Sequence, residues 1–237
     1  VTVSIAAETM GAFEALVAAG KIRFIGVSNF TLDELRVARG ERIACVGPSG
    51  SGKTTLANAV LAEPAFAGDR VFLIEDTPEL QCSAWDVVAV LTRRAPVVIG
   101  VVDLVRDALR MRPDRIVVGE VRGAEVVDLL TALNTGHDGG AGTVHANSPA
   151  EVPARFEALA ALGGLDRSAL HSQLAAAVQV VLHVARDRAG RRRLAEVGML
   201  TRGDDRLVRV LPCWRFDSGP GPGLADLQAL VRARSTG

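Results

Sequence analysis

The sequence has no excess of charge of one sign, few cysteines and no long apolar run. Its 27 basic and 27 acidic residues leave no net charge, and no block of like charges is longer than Arg191–Arg193. Because nucleic-acid backbones are bound by clustered cations, direct sequence-specific nucleic-acid binding is not expected. The apolar runs fall far short of the roughly 20 residues that cross a bilayer. No signal-peptide pattern opens the chain, so we expect a cytoplasmic location.

Cysteine usage excludes two further classes of protein. The three cysteines, Cys45, Cys82 and Cys213, are odd in number, widely spaced and without a C-x-x-C pair. This pattern argues against a disulfide framework and against a zinc site, and it predicts reduced thiols. What the chain does have is 49% hydrophobic and 23% charged residues, a composition typical of a globular protein. Its length is sufficient for one large α/β domain.

Short β-branched apolar runs alternate with helical patterns, which predicts an α/β fold with a mostly parallel sheet flanked by helices. The predicted strands are Ile22–Val27, Arg42–Val46, Val71–Ile74, Ile116–Val118, Gly142–Val144, Val178–Val184, Leu194–Leu200 and Leu207–Leu211. The predicted helices are Glu8–Ala19, Leu32–Ala38, Lys53–Leu61, Leu104–Met111, Glu125–Leu133 and Ala150–Leu162. A hairpin loop is predicted at Arg186–Arg193, and a glycine- and proline-rich breaker at residues 218–223.

The residues from Gly47 to Thr54, GPSGSGKT, match the phosphate-binding pattern G-x-x-x-x-G-K-[ST] in full. An apolar strand precedes them and a helix follows, so the alternative of a glycine-rich turn without a ligand is disfavoured. In this pattern Lys53 reaches the β and γ phosphates of ATP, and the Thr54 hydroxyl is a ligand of Mg²⁺. The predicted nucleotide-binding residues in this loop are Gly47, Pro48, Ser49, Gly50, Ser51, Gly52, Lys53, Thr54 and Thr55.

Acidic residues follow two predicted strands. Glu75, Asp76 and Glu79 come after Val71–Ile74, and Glu120 comes after Ile116–Val118. Ligands of open α/β sheets bind beyond the carboxyl ends of the strands, so both groups are expected near the same nucleotide. A single acid here would be better explained as a solvated loop residue or a helix cap. Two acidic strand ends beside a complete phosphate-binding loop favour a catalytic site.

Two of the four histidines flank a glycine-rich loop and the strand after it. His137 and His145 lie in GHDGGAGTVHANS, residues 136–148. A lone histidine is more often structural, but this pair suggests a sensor of the γ-phosphate. Metal ligation is a weaker alternative because no Cys or acidic cluster completes a site. His171 and His183 lie in apolar contexts and are assigned no function.

Together these residues resemble the secretion-superfamily traffic ATPases, which include the type IV secretion and conjugation ATPases and the Tad-type pilus-assembly ATPases. Four ordered stretches carry the resemblance, over roughly residues 40–200. They are Gly47–Leu56 (Walker A), Leu73–Cys82 (the Asp box), Asp103–Gly123 (ending in an atypical Walker B) and Thr135–Ser148 (the His box).

The resemblance implies a RecA-like P-loop domain that hydrolyses ATP with Mg²⁺. It also implies a homo-oligomer, a ring hexamer, working as a motor with secretion or pilus platform proteins at the cytoplasmic face of the inner membrane. On the family pattern the catalytic residues are Lys53, Glu75, Glu120 and His145. Glu75 is the general base, although Asp76 and Glu79 lie close enough to take that role. Glu120 lies near Mg²⁺, and His145 senses the γ-phosphate.

The sequence departs from the family pattern before the phosphate-binding loop. Family members carry a separate N-terminal domain that supplies arginines to the nucleotide, and that domain is not recognised here. Residues 1–38 instead resemble a helix–strand unit of aldo-keto reductases, in which the pair Ser28 and Asn29 would contact nicotinamide. The chain contains no tyrosine, so the catalytic tyrosine of that family is absent. We therefore predict three segments: a fragment without oxidoreductase activity over 1–38, the ATPase domain over 39–212 and a flexible tail over 213–237.

Three alternative functions remain at this stage. An ABC transporter subunit fits the Walker A residues, but no Leu-Ser-Gly-Gly-Gln-type signature precedes the Walker B. A scaffold subunit that binds ATP with little turnover would fit the missing N-terminal arginines. An NADPH-dependent reductase would require nicotinamide binding. The transported substrate, whether pilin, effector protein or relaxase-bound DNA, is not encoded in these motifs.

Overall fold

A computed structural model of the chain describes residues 42–62, 67–135 and 140–235. The aldo-keto-reductase-like segment 1–38, with its predicted strand and two helices, lies outside the described residues, and so does His137. The helices within the described ranges include none that is both long and apolar enough to cross a membrane.

The described residues form strands and helices in alternation. The strands are β1 Arg42–Val46, β2 Arg70–Glu75, β3 Asp86–Leu91, β4 Arg115–Val121, β5 Gly140–Val144, β6 Val180–Arg186, β7 Arg192–Arg202, β8 Val208–Arg215 and β9 Gly219–Pro220. The α-helices are α1 Lys53–Leu61, α2 Val101–Arg110, α3 Glu125–Asn134, α4 Val152–Leu162, α5 Arg167–Ala177 and α6 Leu224–Ser235, and a 3-10 turn occupies Pro149–Glu151.

The strands make one sheet in the order β3-β2-β4-β5-β1-β6-β7-β8-β9. The first six strands in this order, from β3 at the edge through β1 to β6, pair with one another in parallel. The remaining pairs, from β6 to β9, are antiparallel. The predicted α/β fold with a mostly parallel sheet is therefore confirmed, and the carboxyl ends of β1, β2, β4 and β5 meet at one edge of the sheet.

Both faces of the sheet are covered, because buried residues alternate along each central strand. On one face Val46, Phe72 and Ile116 pack with helices α2 to α5. On the other face the neighbouring residues Cys45 and Leu73 pack with α1 and α6. Two-sided burial explains why the central strands are continuous apolar runs in the sequence. The three cysteines are free thiols, as predicted, and two of them are buried.

Two predicted elements, Arg42–Val46 and Lys53–Leu61, match the structure residue for residue. Strand β3 and helix α5 are absent from the sequence prediction. In β3, DVVAVL is a β-branched run, but it lies at the sheet edge and is only half buried. In α5, the buried Leu170 and Leu174 are four residues apart, and the Asp166 side chain accepts a hydrogen bond from the Ala169 N–H as a helix cap.

The C-terminal segment differs from the predicted flexible tail. Strand β8 runs through residue 212 to Arg215, and α6 follows with Leu227 buried against the sheet. Helix α6 is anchored because Leu224, Leu227 and Leu230 recur at helical spacing and pack on the same apolar cluster as Trp214. The boundaries of the three segments remain predictions.

Candidate functional site

The phosphate-binding loop connects β1 to α1, and two of its glycines have positive φ angles, one of them also at a close backbone approach. Gly47 has φ 154°, and a Cβ there would lie 2.2 Å from the Val184 carbonyl oxygen on β6. Gly52 has φ 109° at the start of α1. Both angles are unfavourable for residues with a side chain. The loop therefore curls tightly at the N-terminus of a helix, the standard position for a bound phosphate.

The interior of this loop holds a cation and an unpaired hydroxyl. The Lys53 Nζ donates hydrogen bonds to the Gly47 and Pro48 carbonyl oxygens, both at 3.0 Å. Burial lowers the pKa of Lys53, although the charge of Glu120 opposes that shift. The Ser51 Oγ is buried and has no hydrogen-bond partner among the described residues. A buried ammonium and an orphan hydroxyl inside a curled loop fit the phosphates of a nucleotide.

Glu75, at the end of β2, is buried beside the loop. Its Oε1 accepts hydrogen bonds from the backbone N–H groups of Glu79, at 3.0 Å, and Leu80, at 2.9 Å. A Cβ on Gly119 would lie 2.9 Å from the Glu75 Cγ, so β2 and β4 approach closely here. The glycine before Glu120 therefore makes room for the Glu75 side chain.

Glu79 is the acid that contacts the loop directly. The Thr54 hydroxyl donates a hydrogen bond to Glu79 Oε2 at 3.1 Å. The Asn58 side chain, one turn further along α1, donates to the Glu79 carbonyl at 3.1 Å and accepts from the Gln81 N–H at 2.9 Å. The Asp-box segment is thus attached to the helix that begins with Lys53. Sequence reasoning missed Asn58, since a polar residue in a helix carries no signal by itself.

Glu120 and His145 meet across the ends of β4 and β5. His145 Nε2 lies 2.5 Å from Glu120 Oε1. Arg122 donates to Glu120 Oε2 at 2.5 Å and lies 3.8 Å from Asp76. Burial raises the pKa of Glu120, but the Arg122 hydrogen bond and the charges of His145, Arg122 and Lys53 outweigh it, so the pKa is lowered overall. The carboxylate is therefore ionised at neutral pH.

These side chains surround a cavity of about 300 Å³ next to the loop. It is lined by Thr54, Glu75, Asp76, Thr77, Glu79, Arg94, Gly119, Glu120 and Arg122. The structure thus brings together Thr54 and all the acids singled out in the sequence. His145 reaches the group through Glu120, and the charge of Glu120 acts on Lys53. Arg94 was missed because it follows β3, the strand that the sequence prediction lacks.

The other two described histidines have surroundings that are typical of residues with a structural role. His171 Nδ1 accepts the Val208 N–H, and its Nε2 bonds to Glu157, each at 2.9 Å. His183 is buried on β6, and burial lowers its pKa. Neither lines the cavity.

The acids at this cavity are suited to bind Mg²⁺ jointly with phosphate oxygens, and not to form a metal site from protein side chains alone. Within the ranges 42–62, 67–135 and 140–235, no three His, Cys, Asp or Glu side chains gather as a metal site. Magnesium is usually bound by one or two protein oxygens plus substrate phosphates. Thr54 and Glu120 both line this cavity and offer oxygens of that kind.

Comparison with known proteins places the chain in a family. The model of the type II/IV secretion system protein family matches residues 26–211, and the match begins inside the segment that resembles aldo-keto reductases. A putative conjugal transfer protein of Mycobacterium tuberculosis is 59% identical over 194 residues, covering 80% of this chain and 54% of that protein. The conjugal transfer protein TrbB of Rhizobium radiobacter is 40% identical over 152 residues, covering 63% of this chain and 46% of its own length. The chain spans about half the length of these relatives.

Solved structures show the same fold. The VirB11 ATPase from the type IV secretion system of Brucella suis aligns with a TM-score of 0.62 at 28% identity, over 83% of this chain and 57% of that one. The pilus retraction motor PilT with bound ADP aligns with a TM-score of 0.55 at 23% identity, over 90% and 56%, which shows the fold alone. The RecA-like architecture predicted from the motifs is confirmed by these neighbours. The chain belongs to the type II/IV secretion system protein family.

Proposed function

We propose that this chain binds MgATP at Gly47–Thr54 and hydrolyses it as a motor subunit of type IV secretion or conjugation. The observation that carries the proposal is the convergence of Thr54, Glu75 and Glu120 on one cavity beside the buried Lys53 ammonium. The relatives are named for conjugal transfer and the VirB11 neighbour for type IV secretion, which favours those processes over pilus assembly.

Each side chain has a role that its surroundings support. Lys53 exchanges its bonds to two loop carbonyls for the β and γ phosphate oxygens. Thr54 and Glu120 would hold Mg²⁺, which when bound would supply charge neutralisation at the transferring phosphate. Glu75 is the general base that takes a proton from the attacking water. His145, in contact with Glu120, senses loss of the γ-phosphate, and His137 is proposed for the same nucleotide on the sequence pattern alone.

Glu79 has a supporting role in this proposal. Its carboxylate accepts a hydrogen bond from the Thr54 hydroxyl, so it would orient the oxygen that Thr54 offers to Mg²⁺. A carboxylate bonded to a metal-ligating hydroxyl is a common outer partner of such sites. This arrangement leaves Glu75, rather than Glu79, as the proposed base.

The proposal also includes the assembly. On the family resemblance, identical subunits form a ring hexamer that is peripheral to the cytoplasmic face of the inner membrane and bound to secretion platform proteins. No sequence-specific contact with nucleic acid is proposed.

The test is steady-state phosphate release from ATP by the wild type and by Lys53→Ala, with Arg110→Ala as control, since Arg110 is an exposed cation on α2. We expect Lys53→Ala to lose about 100-fold in turnover, as expected for a lost electrostatic contact, and Arg110→Ala to match the wild type. ATP binding by the wild type with no turnover above Lys53→Ala would instead establish a scaffold. Absence of ATP binding would refute the proposal altogether.

A further inference from the structure

Strand β6 and the hairpin that follows it contact the phosphate-binding loop at two points. The Val184 carbonyl packs against Gly47 at the first residue of the loop. Two residues further along β6, Arg186 Nη2 donates a hydrogen bond to the Gly50 carbonyl oxygen at 2.9 Å. The contacts therefore lie at the base of the loop and at its tip.

The Arg186 side chain is held in this position by the hairpin itself. Its Nη1 donates to the Gly190 carbonyl at 2.9 Å, so both guanidinium ends are bonded. The Asp187 carboxylate closes this hairpin turn. It accepts hydrogen bonds from the backbone N–H groups of Ala189, at 2.9 Å, and Arg191, at 2.8 Å. Arg193 also donates to Asp187. A planar guanidinium bonded at both ends on a closed turn loses little further freedom when it contacts the loop.

Two peptide groups of the loop connect the Arg186–Gly50 hydrogen bond to Lys53. The peptide between Gly50 and Ser51 is held on both sides, since its carbonyl accepts from Arg186 and its N–H donates to the Pro48 carbonyl at 3.2 Å. The same Pro48 carbonyl accepts a hydrogen bond from Lys53 Nζ. Arg186 therefore holds in place the loop peptides that Lys53 contacts before a nucleotide binds.

We propose that Arg186 is a positioning residue for the phosphate-binding loop, acting through the Gly50–Ser51 peptide to hold the loop ready for the phosphates of a nucleotide. This inference rests on the proposed nucleotide site. Because the loop surrounds phosphates that ATP and ADP share, Arg186 acts on the affinity for both nucleotides. It does not act on the chemical step, since the hairpin does not line the cavity that holds Glu75 and Glu120.

The experiment measures Kd for ATP and for ADP, with Mg²⁺, and kcat for the wild type, Arg186→Ala, Arg186→Lys and Arg188→Ala. Arg188 is the matched control, because it is an exposed arginine in the same turn. We expect Arg186→Ala to raise both Kd values equally, by about tenfold, and to leave kcat within about twofold; tenfold corresponds to about 1.4 kcal/mol. Arg186→Lys, which retains the charge and one donor, should fall between the wild type and Arg186→Ala.

The design separates this inference from the proposed function, since binding is measured without turnover. A chain that binds both nucleotides but does not hydrolyse ATP still tests Arg186 by its Kd values. Melting without nucleotide reports folding, and an unchanged midpoint assigns the affinity loss to the loop. If Arg186→Ala weakens ATP but not ADP, or lowers kcat alone, the residue acts on the terminal phosphate and the inference is overturned. Equal affinity in Arg186→Ala and Arg188→Ala also overturns it.

Discussion

At the scale of single residues, the charge of Glu120 is compensated by three basic neighbours. Arg122, His145 and Lys53 all lower its pKa against the effect of burial. The sequence predicted that Glu75 and Glu120 would lie together, because both end parallel strands that meet at one edge. It did not predict that Glu79 would bond Thr54 or that Arg122 would bridge Glu120 and Asp76. Those contacts depend on the path of loops, which strand patterns do not determine.

Substitution of Glu120 by glutamine is expected to separate ATP binding from hydrolysis. The amide keeps the shape of the side chain, so we expect Kd for ATP within about threefold of the wild type. It removes the negative charge that would help to hold Mg²⁺. Turnover should fall by about 100-fold, the usual cost of one electrostatic catalytic contact. Titration with ATP and phosphate release measure the two quantities. Asp107→Asn, at an exposed acid on α2, is the control, and normal turnover in Glu120→Gln would refute the Walker B assignment.

At the scale of elements, the sequence predicted the buried central strands best and the sheet edges worst. Strand β1 is a continuous apolar run between two covered faces, so its limits are visible in the residues. Strand β3 is an edge strand that pairs with β2 alone, and its residues are exposed or half buried. The glycine- and proline-rich residues before α6 indicate a break in the chain, but the packing of α6 depends on a distant apolar surface formed by β8.

The packing of α6 predicts a stability effect that a flexible tail would not show. Leu227 is buried, and Leu227→Ala should lower the free energy of unfolding by about 2–3 kcal/mol, typical of a large-to-small core substitution. Gln228→Ala, one residue along and half exposed, should change it by less than about 0.5 kcal/mol. Urea denaturation of both variants measures the difference. Equally small effects would show that α6 adds nothing to the core.

At the scale of the whole molecule, one sheet combines two kinds of strand pairing, and the phosphate-binding loop lies near the change. Strand β1 precedes the loop and pairs with β6, the last of the parallel strands, which then turns back into β7. The parallel part supplies Glu75, Glu120 and His145 from its carboxyl edge, while the antiparallel part supplies Arg186. These residues therefore come together through one sheet, although the motifs that contain them are spread over a hundred residues.

The central claim is that Lys53 and the loop around it hold a triphosphate whose end faces Glu75, Glu120 and His145. The most direct measurement is a structure of this chain with Mg²⁺ and a slowly hydrolysed ATP analogue. We predict the terminal phosphate within hydrogen-bonding distance of Lys53 Nζ, about 3 Å, on the side of the cavity lined by the two glutamates. An analogue bound with its terminal phosphate turned away from them, or bound outside the loop, would contradict the account.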